Sequence, residues 1–167
     1  MKIISSLATL AVFAFSGVSA PCLAAGLADQ LSVVEPYVRL APPGARVTGA
    51  FMTIRNTSDK AIQLVKADSS AAKVTELHNH INDNGVMRMR QVKAISVPAK
   101  GEVQLKPGSF HVMLIDMQVP LKEGDTVAIT LEFSDGGTKT VQAPVKNLMA
   151  EMPMKDMGTM DHSQMKH

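Results

Sequence analysis

The sequence of 167 residues has no tryptophan, one tyrosine and five phenylalanines, and its only cysteine is Cys22. A lone cysteine cannot make an intramolecular disulfide, a Cys-based zinc ribbon or a CxxC redox pair. With so few aromatic rings there is no stacking surface for a carbohydrate-binding β-sandwich. Charge of one sign is also missing: seventeen basic residues stand against fifteen acidic ones, and no Lys/Arg run occurs. That balance excludes a dedicated nucleic-acid face. After residue 25 no apolar stretch approaches the ~20 residues that cross a bilayer, so no stable membrane insertion is expected. Methionine, in contrast, is abundant. Twelve of them sit in a chain long enough for one domain and apolar enough for one core.

Residues 1–24 read as a cleaved secretory signal. Lys2 gives a positive start, residues 3–15 are mostly apolar, and Gly17, Ser19, Ala20 and Ala24 form a small-residue exit. Pro21 blocks a cut after Ala20, so cleavage is expected after Ala24. Pro21 also makes Cys22 a poor lipidation site. The exported chain would begin at residue 25 and contain no cysteine at all.

From residue 32 to 145 short β segments alternate with turn residues. Strands are expected near 32–41, 49–56, 61–67, 73–81, 86–92, 110–117 and in the segments that follow, at roughly 8–12-residue spacing. Pro36 marks an edge strand or a bend, and NDNG at 82–85 is a hairpin signal. This pattern predicts an all-β, antiparallel Greek-key sandwich or barrel over residues 25–147. Residues 149–167 hold six of the twelve methionines and two of the five histidines, with no Val, Ile, Leu or aromatic residue. That composition cannot build a core, and 148–167 reads as a flexible tail.

With cysteine gone, the soft side chains that remain are thioethers and imidazoles. His78, Met89, His111 and Met113 fall in the order H-x10-M-x21-H-x-M. His111 and Met113 are two apart, so on a strand they share a face, opposite Val112 and Leu114. The 82–85 hairpin returns the strand of His78 beside that of Met89. Two imidazoles with two thioethers suit Cu(I) and disfavour zinc and hard cations. The competing reading of each residue alone is structural, since a strand methionine usually fills core and a histidine usually sits at the surface. His80 reads as an exposed neighbour, Met87 as packing with a spare ligand as the alternative, and Met52 and Met117 as core or rim residues.

The spacing, together with TELHNH, GVMRMRQV, LKPGSFHVMLIDM and PLKEGDTVAITLEF, resembles the periplasmic copper chaperones called PCu(A)C, from about residue 34 to 145. The resemblance implies a cupredoxin-like fold, a periplasmic location and a Cu(I) site at His78, Met89, His111 and Met113. It further implies delivery to the copper centres of a cytochrome c oxidase, with an oxidase subunit or a Sco-type thiol protein as acceptor. Where some members have a methionine after the first histidine, this chain has Asn79. Members with a Met/His-rich extension suggest that Met160, His162, Met165 and His167 are auxiliary ligands for Cu(II) or further Cu(I); His80, facing the same way as His78 on its strand, is a lesser auxiliary candidate. Buffering for copper tolerance is the alternative role. A blue-copper centre would need a Cys thiolate, and no general base or nucleophile accompanies the cluster, so neither electron transfer nor catalysis is expected.

Overall fold

The structure, a computed structural model, describes residues 27–148. The expected signal with its cleavage point, and the tail with Met160, His162, Met165 and His167, lie outside the described residues. One turn of 3-10 helix, Leu27–Gln30, precedes ten strands. They are β1 (Leu31–Arg39), β2 (Val47–Asn56), β3 (Ile62–Asp68), β4 (Ala72–Asp83) and β5 (Val86–Gln91), followed by β6 (Ile95–Val97), β7 (Gly101–Leu105), β8 (His111–Met117), β9 (Thr126–Phe133) and β10 (Thr138–Lys146). The all-β expectation holds.

Hydrogen bonding runs in the order β5-β4-β8-β2-β1-β10-β9-β3-β6, with β7 paired to β2 off this path. Pairing is antiparallel except where β1 meets β10, which is parallel at Val38 and Arg39 against Val145 and Lys146. A purely antiparallel arrangement therefore needs correcting at this one seam. The strip closes over a single core. Ile54, Val112 and Leu114 from one half join Leu64, Ile95, Ile129 and Leu131 from the other, all fully buried. Each such side chain contributes about 1.5–3 kcal/mol by leaving water. Met52 and Met117 belong to this core, as expected.

Pro36 does not mark an edge, because β1 lies between β2 and β10. It marks a bend: the register with β2 shifts between Val34 and Tyr37, and Glu35 takes a φ of 50°. The extra residue of a bulge absorbs the amide that proline cannot supply.

The hairpin joining β4 to β5 positions the candidate site. Asp83 pairs with Val86 across a two-residue loop in which Asn84 and Gly85 have φ of 51° and 86°. Such a loop needs two positive φ values and favours Asn-Gly. The Gly85 N–H donates to Asn82 Oδ1 at 2.7 Å. β5 is an edge, exposed along its whole length. Arg88 and Arg90 line that edge and approach the Asp83 carboxylate at 3.3 and 3.6 Å, and such charges deter pairing with another chain.

Strand alternation then sorts the side chains. Leu77, Val112 and Leu114 point into the core. Glu76, His78 and His80 of β4, Met87 and Met89 of β5, and His111 and Met113 of β8 share the opposite face. Replacing Leu114 by Ala leaves a cavity beneath that face and is expected to cost about 2–5 kcal/mol. Urea denaturation measures it; a loss well under 1 kcal/mol would mean that Leu114 is not a core residue.

Candidate metal centre

β8 runs antiparallel to β4 so that His78 lies opposite His111 and Glu76 opposite Met113. On its other side β4 pairs with β5, which sets His80 opposite Met89 and His78 opposite Gln91. Three imidazoles cluster as a result. The His111 ring centroid is 5.1 Å from that of His80 and 5.9 Å from that of His78. Phe51 lies 6.1 Å from His111 on the far side and 5.2 Å from Tyr37, so an aromatic row backs the cluster. The rings have room because position 49 is glycine: a Cβ there would come within 3.0 Å of the Phe51 ring.

A cavity of about 840 Å³ opens over this face. His80, Met89, His111 and Met113 form part of its wall, and loops after β1, β7 and β10 complete it. His111 is buried, only 3% exposed, while Met89 on the edge strand is 47% exposed. The site thus has a fixed floor and an open rim. Among the described residues, no Asp or Glu lines the cavity.

Hydrogen bonds fix two of the rings. His111 Nδ1 donates to the Ser109 carbonyl at 2.9 Å, which leaves Nε2 as the lone-pair nitrogen. His78 Nε2 lies 2.7 Å from Glu76 Oε2. A carboxylate only accepts, so that nitrogen carries the proton and Nδ1 holds the lone pair. A carboxylate on the remote nitrogen orients a metal-binding imidazole and raises its basicity. The Nδ1 atoms of His78 and His80 are both buried without a partner. Each orphan costs about 1–3 kcal/mol in the metal-free protein, a cost that a bound cation would relieve.

Among the described residues no three His, Cys, Asp or Glu side chains gather in a way that could hold a metal ion. The thioethers of Met89 and Met113 stand on the same face as the imidazoles, and such donors suit a soft metal better than zinc, calcium or magnesium.

Two side chains differ from expectation. His80 is not an exposed neighbour but a half-buried part of the cavity wall. Met87 does not fill a gap; it stands 54% exposed near the hairpin tip, because β5 has no layer over it. Asn79 pairs with Arg90 and alternates to the other face.

Comparison with known proteins gives the chain its relatives. The LpqE-like family, described by the name of a lipoprotein, matches residues 31–145. The chain belongs to the LpqE-like family. A Leifsonia xyli subsp. xyli protein named as a lipoprotein is 37% identical over 121 residues, 72% of each chain. A Rickettsia prowazekii protein is 35% identical over 136 residues, 75% of each chain. Among solved structures, DR1885 of Deinococcus radiodurans in its Cu(I) form is 38% identical with a TM-score of 0.56, covering 70% of this chain and 76% of that one. The copper-bound PCuAC domain of PmoF2, at 23% identity and a TM-score of 0.61, covers 71% and 93% and shares the fold. The LpqE-like chain thus shares the fold of the PCuAC domains, the cupredoxin-like β fold expected from its sequence.

Burial pushes the pKa of His111 in this LpqE-like domain below its ordinary value; the Ser109 hydrogen bond opposes that shift, and charge on His80 or His78 adds to it. The unfolded chain then binds a proton at this position before the folded one does. Stability therefore rises with pH between the lowered folded value and the usual ~6.5, and it falls on acidification through that window. Urea midpoints of the metal-free protein at pH 7 and pH 5 are expected to show this loss. His111→Asn should reduce the pH slope; an unaltered slope would assign the effect to other groups.

Proposed function

We propose that the protein is an exported copper chaperone that carries Cu(I) on His78, Met89, His111 and Met113. The observation that carries this reading is the strand face that His78, Met89, His111 and Met113 share, the last three of them lining one cavity. Kinship supports it, because DR1885 is named in its Cu(I) form. Relatives named as lipoproteins accord with export, and the reading places the chain in the periplasm.

All four donors are neutral, so the ion keeps its charge and is held by soft-donor covalency, without an anionic counterpart. A cavity of about 840 Å³ is far larger than one ion. It leaves space for a ligand-bearing segment of an acceptor to enter before the donor lets go. Exchange then proceeds one bond at a time. Copper stays monovalent while the acceptor thiols lose their protons to water or buffer. The acceptor in this reading is the copper centre of a cytochrome c oxidase, reached directly or through a Sco-type thiol protein. The protein acts as a carrier, with no turnover chemistry of its own.

X-ray absorption on the full exported chain with one equivalent of Cu(I) is expected to show mixed nitrogen and sulfur scattering. Replacing Met89 and Met113 together by Leu should remove the domain's sulfur contribution and weaken binding by about 10–100-fold or more in competition titrations. Full affinity in that variant would refute the site. In a strain lacking the protein, oxidase activity should fall under copper limitation and return with added copper. Intact oxidase with heightened copper sensitivity would favour buffering.

Residues 149–167, with Met160, His162, Met165 and His167, extend this reading to Cu(II) or additional Cu(I). Deleting them should lower copper stoichiometry while leaving the first Cu(I) equivalent in place. Unchanged Cu(II) binding after the deletion would remove the tail from the scheme.

A further inference from the structure

The strand face around His111 carries three imidazoles, one more than a site of two imidazoles and two thioethers uses. Resting on the copper reading above, we infer that His80 is an alternate copper donor that takes the place of His78 on the ion, an exchange through which the ion is passed across the open cavity. His80, not His78, lines that cavity with Met89, His111 and Met113. It lies directly opposite Met89 across the β4–β5 pair, whereas His78 lies opposite Gln91. Its ring is nearer to His111, 5.1 Å against 5.9 Å. Its Nδ1 is buried with no partner, which leaves an unspent lone pair or proton beside the other donors.

Two contacts give the imidazoles different jobs. The Ser109 carbonyl accepts both His111 Nδ1, at 2.9 Å, and the backbone N–H of His80, at 3.4 Å. That shared acceptor keeps the backbone of residue 80 in register with the buried ring. His78 is tied instead to Glu76 at 2.7 Å, which fixes its orientation and makes it the anchoring imidazole. No side-chain hydrogen bond of that kind is formed by the His80 ring among the described contacts. An acceptor thiol entering the cavity therefore meets the less constrained imidazole first. The Cu–N bond to His80 breaks as a Cu–S bond to the incoming thiolate forms. The thiol proton passes to the released imidazole or to water, and copper remains monovalent.

Ring-nitrogen NMR on the full exported chain labelled with 15N-histidine tests this directly, with Cu(I) added to one equivalent. The expected result is a metal-induced shift of the His80 ring together with those of His78 and His111. His80→Gln is expected to slow transfer to a dithiol peptide about tenfold, and His78→Gln to weaken Cu(I) binding 10–100-fold. If His78 and His111 shift and His80 does not, His80 is no ligand and this inference falls while the copper reading stands. If no imidazole responds, the copper reading itself falls. Transfer from His80→Gln at the wild-type rate would equally overturn the exchange role, and the labelled wild-type protein gives the answer even if that variant does not fold.

Discussion

The pairing of β4 with β8 is the constraint on which the metal face depends. It places His78 opposite His111 and Glu76 opposite Met113, and the same pleat turns Leu77, Val112 and Leu114 into the core. Because side chains alternate with a period of two, a slip of one residue would exchange these sets. The imidazoles would enter the interior and the leucines would face water. Burial of the apolar set thus enforces the position of the polar one. The candidate ligands are held by the hydrophobic effect acting on their neighbours, and nothing in their own contacts has to supply that energy.

The chemistry of the face follows from what it omits. Among the described residues it carries no thiolate and no cavity-lining carboxylate. The carboxylate present, Glu76, is spent on the remote nitrogen of His78. The donors that remain on the face are imidazoles and thioethers, which suit a soft ion better than a hard divalent one. Burial of His111 has a second consequence, since an imidazole kept neutral is ready to donate its lone pair at neutral pH. In the proposed copper reading, selectivity and lability have one origin, a shell of uncharged donors around a monovalent ion.

Much of this was legible in the residues. Alternation in 110–117 separated His111 and Met113 from the core positions, and NDNG located the β4–β5 turn. The same turn held a further message: an Asn84-Gly85 loop pairs Asp83 with Val86, and counting back along both strands sets His80, not His78, against Met89. That count alone would have raised His80 above an exposed neighbour. The parallel seam between β1 and β10 was not legible, because it joins segments a hundred residues apart that have no direct connection. Nor was the exposure of Met87, which depends on β5 being the last strand of the sheet, a property of topology and not of the strand itself.

That terminal place of β5 has one more consequence. Strands at the margin, with no layer above them and solvent along their length, open at far lower cost than the core does. The hairpin tip can fray while β4, β8 and β2 remain zipped. In the proposed copper reading, such fraying would withdraw the Met89 sulfur and leave the ion partly unclasped: grip would be relaxed by local melting of six residues, with the rest of the barrel intact.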